Sequence, residues 1–102
     1  MNFSQSTSIP ASHPSLAGHF PANPVVPGVV ILETVQRAIE EWQGKVRLES
    51  MPMVKFLNPL LPEQEYIINL EMKESNINTI QFTCLEKNTL IAQGSINFYR
   101  NN

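Results

Sequence analysis

One hundred and two residues carry seven basic and nine acidic side chains, a net charge of −2, and 42% apolar residues. That suits one domain spanning residues 1–102 around a modest core, and it lacks the basic footprint of a nucleic-acid binder. The single cysteine, Cys84, excludes an internal disulfide and a cysteine-based zinc site, and two histidines, His13 and His19, leave little for another metal.

The N-terminus has neither the basic start nor the long apolar core of a signal peptide. The longest nearly apolar run, Pro24 to Leu32, is too short to cross a membrane. A cytoplasmic protein without membrane insertion is expected. Phe3 to Ile9 reads as a short strand rich in Ser and Thr, ended by Pro10. His13-Pro14 opens a loop, and an exposed loop histidine is the simpler reading of His13.

Gly18 to Glu33 carries the chemistry. Pro21, Pro24 and Pro27 exclude a helix through this segment and hold His19 and Phe20 in a stiff loop. Pro27 fits the first turn of a helix, Gly28 lets a ligand approach the backbone closely, and the free N–H groups of a helix start stabilise a negative oxygen. The spacing predicts a helix over 28–43, with Val29, Val30, Leu32, Val35, Ala38, Ile39 and Trp42 on a broad apolar face. Its first turn is apolar nearly all round, which implies burial there, and Gly44 is the expected stop. Glu33 shares a polar stripe with Gln36, Arg37 and Glu40. A Glu with Arg four residues on is an ordinary solvated pair worth about 0.2–0.5 kcal/mol, so on pattern alone the stripe faces water; the apolar turn before it suits a dimer seam instead.

From residue 45 onward the chain reads as β. Val46 to Leu57 is a strand region interrupted at Pro52, and Asn58-Pro59 and Leu61-Pro62-Glu63 mark a turn. Tyr66 to Lys73 alternates, with Ile68, Leu70 and Met72 on one face, and Asn76 and Asn78 bracket a turn. Thr79 to Glu86 turns Ile80, Phe82 and Cys84 the same way, which makes Cys84 a buried thiol rather than a nucleophile. Lys87-Asn88 is a hairpin turn, and Leu90 to Tyr99 follows with Leu90, Ala92, Gly94, Ile96 and Phe98 on one face. One helix followed by an antiparallel meander gives an α+β layout, a sheet of six or so strands wrapped around the helix.

His19-Phe20-Pro21, Pro24, Pro27-Gly28-Val29 and Leu32-Glu33 together resemble the signature of the bacterial 3-hydroxyacyl-acyl carrier protein dehydratases, hotdog-fold enzymes of fatty acid synthesis and related polyene pathways. The spacings of nine from His19 to Gly28 and fourteen from His19 to Glu33 match that family, and Val54 to Pro62 resembles its next strand and turn. The resemblance implies a hotdog fold, an antiparallel sheet around one long central helix. It also implies a homodimer in which Glu33 meets the partner subunit's His19; assembly beyond the dimer stays open. The implied reaction converts a 3-hydroxyacyl thioester to the trans-2-enoyl thioester, with no metal or other cofactor. His19 would take the α-proton as base, the Gly28 backbone N–H would polarise the thioester carbonyl, and Glu33 would handle the proton or water at C3. Phe20, Val30 and Phe56 are candidates, by position and size, for the lining of an acyl channel.

The implied partner is an acyl carrier protein, or coenzyme A, bearing the thioester. Arg37, Lys45, Arg47, Lys55 and Arg100 are available to dock an acidic carrier, without forming an evident patch. Arg37 is a departure, because better-known members carry Gln there. An arginine beside Glu33 favours the carboxylate, which weakens a general acid and suits a group that orients water or the hydroxyl. Glu63-Gln64 replaces the Gly-Asp often found after the proline. The chain is shorter than many members and is expected to lack a long N-terminal extension and any insertion enclosing a long acyl tunnel. Two alternatives remain. A hotdog thioesterase would use a carboxylate to activate water and would not need the His-Phe-Pro loop. A non-catalytic acyl-thioester-binding subunit would fit Arg37 and the short chain.

Overall fold

A computed structural model of the chain describes residues 1–16 and 25–100, apart from the side chain of Arg100. Strand β1 spans Asn2–Thr7, and a 3-10 turn follows at Pro14–Leu16. Helix α1 runs Gly28–Gln43, followed by β2 at Val46–Phe56, β3 at Tyr66–Lys73, β4 at Asn76–Glu86 and β5 at Thr89–Arg100. Every strand pairing is antiparallel, and the sheet order is β1-β3-β4-β5-β2. The described residues thus form five strands rather than six or so. The expected break at Pro52 is a pair of register shifts, between Leu48 and Ser50 and between Ser50 and Met53. A proline is tolerated there because β2 is an edge strand, where a missing N–H breaks no ladder on the open side.

The helix has the predicted bounds. Pro27 starts it and Gly44 ends it, with φ at +79° and its amide donating to the Glu40 carbonyl at 2.8 Å. Its buried face is Val30, Ile31, Thr34, Val35, Ala38 and Ile39. Expected burial of the whole first turn is corrected: Val29 is 62% exposed, because the sheet covers only one side of the helix. Leu32 and Trp42 are packed against the core from its margin.

The meander lays its alternating residues on the helix, as pattern demands of a sheet covered on one face. Tyr66, Ile68, Leu70 and Met72 point inward from β3, Ile80, Phe82 and Cys84 from β4, and Ala92, Ile96 and Phe98 from β5. Leu90 is only partly buried and Ile91 is buried instead, because the β4–β5 register shifts between Cys84 and Leu85. Lys87-Asn88 turns as predicted. The preceding turn does not: Lys73 faces Asn76 across Glu74-Ser75, so Asn76 and Asn78 already belong to β4. Burial pushes the Cys84 thiol up to about 12, which leaves it protonated and inert. No helix among the described residues is long and apolar enough to cross a membrane.

Candidate functional site

The helix start is built by Pro27. Its backbone is extended (φ −61°, ψ 145°), with no side-chain cap. Its carbonyl accepts from the amides of Val30 at 3.0 Å and Ile31 at 3.3 Å. Pro27 therefore stands just outside the helix, at the cap, rather than in its first turn. The amides of the first helical residues, Gly28 among them, have no carbonyl one turn back to bond to. They form the positive end of the helix dipole.

Gly28 is a glycine for a reason the sequence does not show. A Cβ there would lie 2.6 Å from Cζ of the Phe56 ring. The end of β2 therefore packs directly onto the helix start. Phe56 itself is 50% exposed, whereas Val30, its fellow candidate, is fully buried in the core. Val29 is the side chain of this turn that faces outward.

One helical turn beyond, the Glu33 carboxylate is half-exposed. It borders an apolar groove of about 150 Å³ between α1, β2 and β5, lined by Val29, Leu32, Gln36, Leu48, Met51 and Phe98 among others. The sequence names Val29 only for the helix's apolar face and the family motif, and it does not point to Val29, Leu48 or Met51 as groove lining. The usable signal was Val29, placed four residues before Glu33 and hence on the same helix face. Arg37 Nη2 stands 4.0 Å from Glu33 Oε2, with both side chains largely in water. This is the solvated pair the pattern suggested, and in that setting it contributes little.

His19 and Phe20 lie outside the described residues. His13 is half-buried rather than exposed. Its Nδ1 accepts from the Ser15 amide at 3.1 Å and closes the turn at Pro14–Leu16, a structural task. The described residues hold no cluster of His, Cys, Asp and Glu able to bind a metal. Of the basic candidates, Arg37 lies on α1, while Arg47 lies on β2 with its guanidinium carbon 6.0 Å from the Tyr99 ring centroid.

The model of the ApeI-like family, described as ApeI dehydratase, matches residues 2–95. The chain belongs to the ApeI-like family. Among curated relatives of this ApeI-like chain, the 3-hydroxyacyl-[acyl-carrier-protein] dehydratase FabZ of Ehrlichia canis is 34% identical over 98 residues, covering 83% of this chain and 66% of the relative. FabZ of Ehrlichia chaffeensis is 32% identical over 93 residues, covering 83% and 65%. The chain thus spans just under two thirds of the length of these relatives. A solved structure, the dehydratase heterocomplex ApeI:P from Xenorhabdus doucetiae, superposes with a TM-score of 0.84 at 23% identity, covering 97% of this chain and 88% of that one. A 1,4-dihydroxy-2-naphthoyl-CoA thioesterase from Synechocystis superposes at 0.73 with 15% identity, covering 97% and 81%. The fold of this ApeI-like chain is therefore the hotdog. Because thioesterases share it, the fold alone does not choose the reaction.

Proposed function

We propose that this ApeI-like chain dehydrates a 3-hydroxyacyl thioester, carried by an acyl carrier protein, as a homodimer with its active sites at the seam. The observation that carries the reading is the position of Glu33. Its carboxylate stands at the mouth of an apolar groove, one turn beyond the Gly28 helix start. The names of the FabZ relatives support the choice of substrate.

In this reading the thioester carbonyl lies against the Gly28 amide, whose hydrogen bond strengthens as the oxygen gains negative charge. His19 removes the α-proton. The electron pair of the broken C–H bond forms the C2–C3 double bond, and the C3–O bond breaks with its electron pair on oxygen, which takes a proton from the Glu33 carboxyl and leaves as water; passage of the proton from His19 back to Glu33 restores both groups. The acyl chain takes the groove beside Val29 and Leu48, with Phe56 at the thioester end; Phe20 belongs to the same channel by motif alone.

The dimer has its own support. Leu48, Met51 and Phe56 of β2 and Val29 of α1 are all 40% or more exposed. In the proposed dimer a second copy covers them and encloses the groove, and the family resemblance pairs Glu33 with the partner subunit's His19.

The test is turnover of a carrier-linked 3-hydroxyacyl thioester, followed by enoyl absorbance and, in parallel, by free-thiol release. His19→Ala and Glu33→Gln are expected to lower kcat by about 10²–10⁴-fold. Thiol release without enoyl product means a thioesterase. Silence in both assays, with binding retained, means a non-catalytic acyl-thioester binder.

A further inference from the structure

Thr34 follows Glu33 in α1 but points the other way, into the core, where it is 6% exposed; Tyr66, at the start of β3, is 1% exposed. Thr34 Oγ1 donates to the Ile31 carbonyl at 2.6 Å and lies 2.6 Å from the Tyr66 hydroxyl. The threonine has one proton, and the carbonyl takes it. The tyrosine must therefore donate the second bond, giving a directed chain from Tyr66 to Thr34 to Ile31. Both hydroxyl protons are used.

Stability does not require this arrangement. Phe and Val would fill the same volume with no polar group to desolvate, a replacement that is often close to neutral when both partners are exchanged. What the hydroxyls add is direction. Apolar contacts between a helix and a sheet permit small rotations and shifts at little cost, whereas a short hydrogen bond from the sheet to a hydroxyl that is itself tied to its own helix carbonyl specifies one arrangement in a low-dielectric core. The rest of the helix is held elsewhere. At its C-terminal end Trp42 stacks on Phe3 with ring centroids 5.8 Å apart, and the Glu41 carboxylate accepts from the side-chain Nε2 of Gln5. The half that carries Gly28 and Glu33 has the Phe56 ring at its tip and the Tyr66–Thr34 bond at its base.

We propose that the Tyr66–Thr34 hydroxyl pair is a positioning device for the active site. It sets the rotation and height of the first half of α1, and so the places of the Gly28 amide and the Glu33 carboxylate. The proposal rests on the dehydratase reading of those two groups. Tyr66 and Thr34 are positioning residues that touch no substrate.

The experiment compares the full chain with Tyr66→Phe, Thr34→Val, the double variant and Thr34→Ser, by steady-state kinetics and by amide hydrogen exchange. Tyr66→Phe leaves the Thr34–Ile31 bond intact and is expected to fold. Tyr66→Phe and Thr34→Val are each expected to lower kcat about 10-fold or more with KM changed less than about twofold. The double variant should be no worse than the poorer single one, since both remove one interaction, and Thr34→Ser should retain near-native kcat. Exchange should rise at residues 28–35 while β4 and β5 keep their protection. A kcat within about twofold of native in Tyr66→Phe, or exchange that rises equally in helix and sheet, overturns the proposal. A wild type without turnover overturns the dehydratase reading and the catalytic half of this one; the exchange pattern then decides separately whether the pair fixes α1.

Discussion

β2 and β3 belong to one sheet and both carry apolar side chains, yet among the described residues only β3 finds cover. Along β3 burial alternates, with Tyr66, Ile68, Leu70 and Met72 inside and Ile67, Glu71 and Lys73 outside. Along β2 no side chain is fully buried, and Leu48, Met51, Met53 and Phe56 are 40–50% exposed. β3 lies between two strands and above α1, whereas among the described residues β2 is bonded to β5 alone. Such an edge, apolar and open, is a ready template for association. The lesson is that β3 is explained by packing inside the chain and β2 is not. Glu33, with its groove, lies on the unexplained side.

The contrast breaks most visibly with one substitution on each strand. Leu70→Ala removes a core side chain and is expected to cost about 2–5 kcal/mol at any protein concentration. Leu48→Glu is expected to change the stability of the dilute monomer by less than about 0.5 kcal/mol, yet to abolish self-association, turnover and the concentration dependence of Tm. Denaturation at two concentrations and sedimentation check both. Equal behaviour of the two variants would dissolve the distinction.

Alkaline pH isolates the covered region. Burial raises Tyr66 from 10.0 to about 12, with opposition from its bond to Thr34, and raises Cys84 from 9.0 to about 12. The unfolded chain therefore loses these protons first, so stability is full below pH 9 and falls as pH rises toward 12. Each group contributes up to about 1.4 kcal/mol per pH unit within its window. Urea midpoints measured from pH 8 to 11 should fall, less steeply in Cys84→Ala and in Tyr66→Phe. The smallest effect belongs to the exposed side. Arg37→Gln is expected to shift stability by under about 0.5 kcal/mol, and a larger shift appearing only in the dimer would place the Glu33–Arg37 pair beneath the seam.

Much of this was readable in advance. Pro27 and Gly44 punctuate α1 because a missing N–H and a positive φ act on the chain locally. The inward residues of β3 and β4 follow from strict alternation. The spacing from His19 to Glu33 singled out the chemistry, although His19 and Phe20 lie outside the described residues. Asn76 and Asn78 misled, because asparagine favours turns only weakly enough for the pairing of Lys73 with Asn76 to override it. Val29 misled because periodicity finds an apolar helix turn but not which side the sheet will cover.

By itself the sequence determined the helix with both of its ends, the inward faces of β3 and β4, the buried thiol and the motif that points to thioester chemistry, since each depends on neighbours within a few residues. Only the tertiary structure decided that β2 ends up at the edge, that the Phe56 ring claims the space beside Gly28, and that Tyr66 meets Thr34 across 32 positions of sequence. These contacts arise from the strand order β1-β3-β4-β5-β2, which brings distant residues together and, among the described residues, leaves one apolar flank uncovered, and local pattern carries no record of that order.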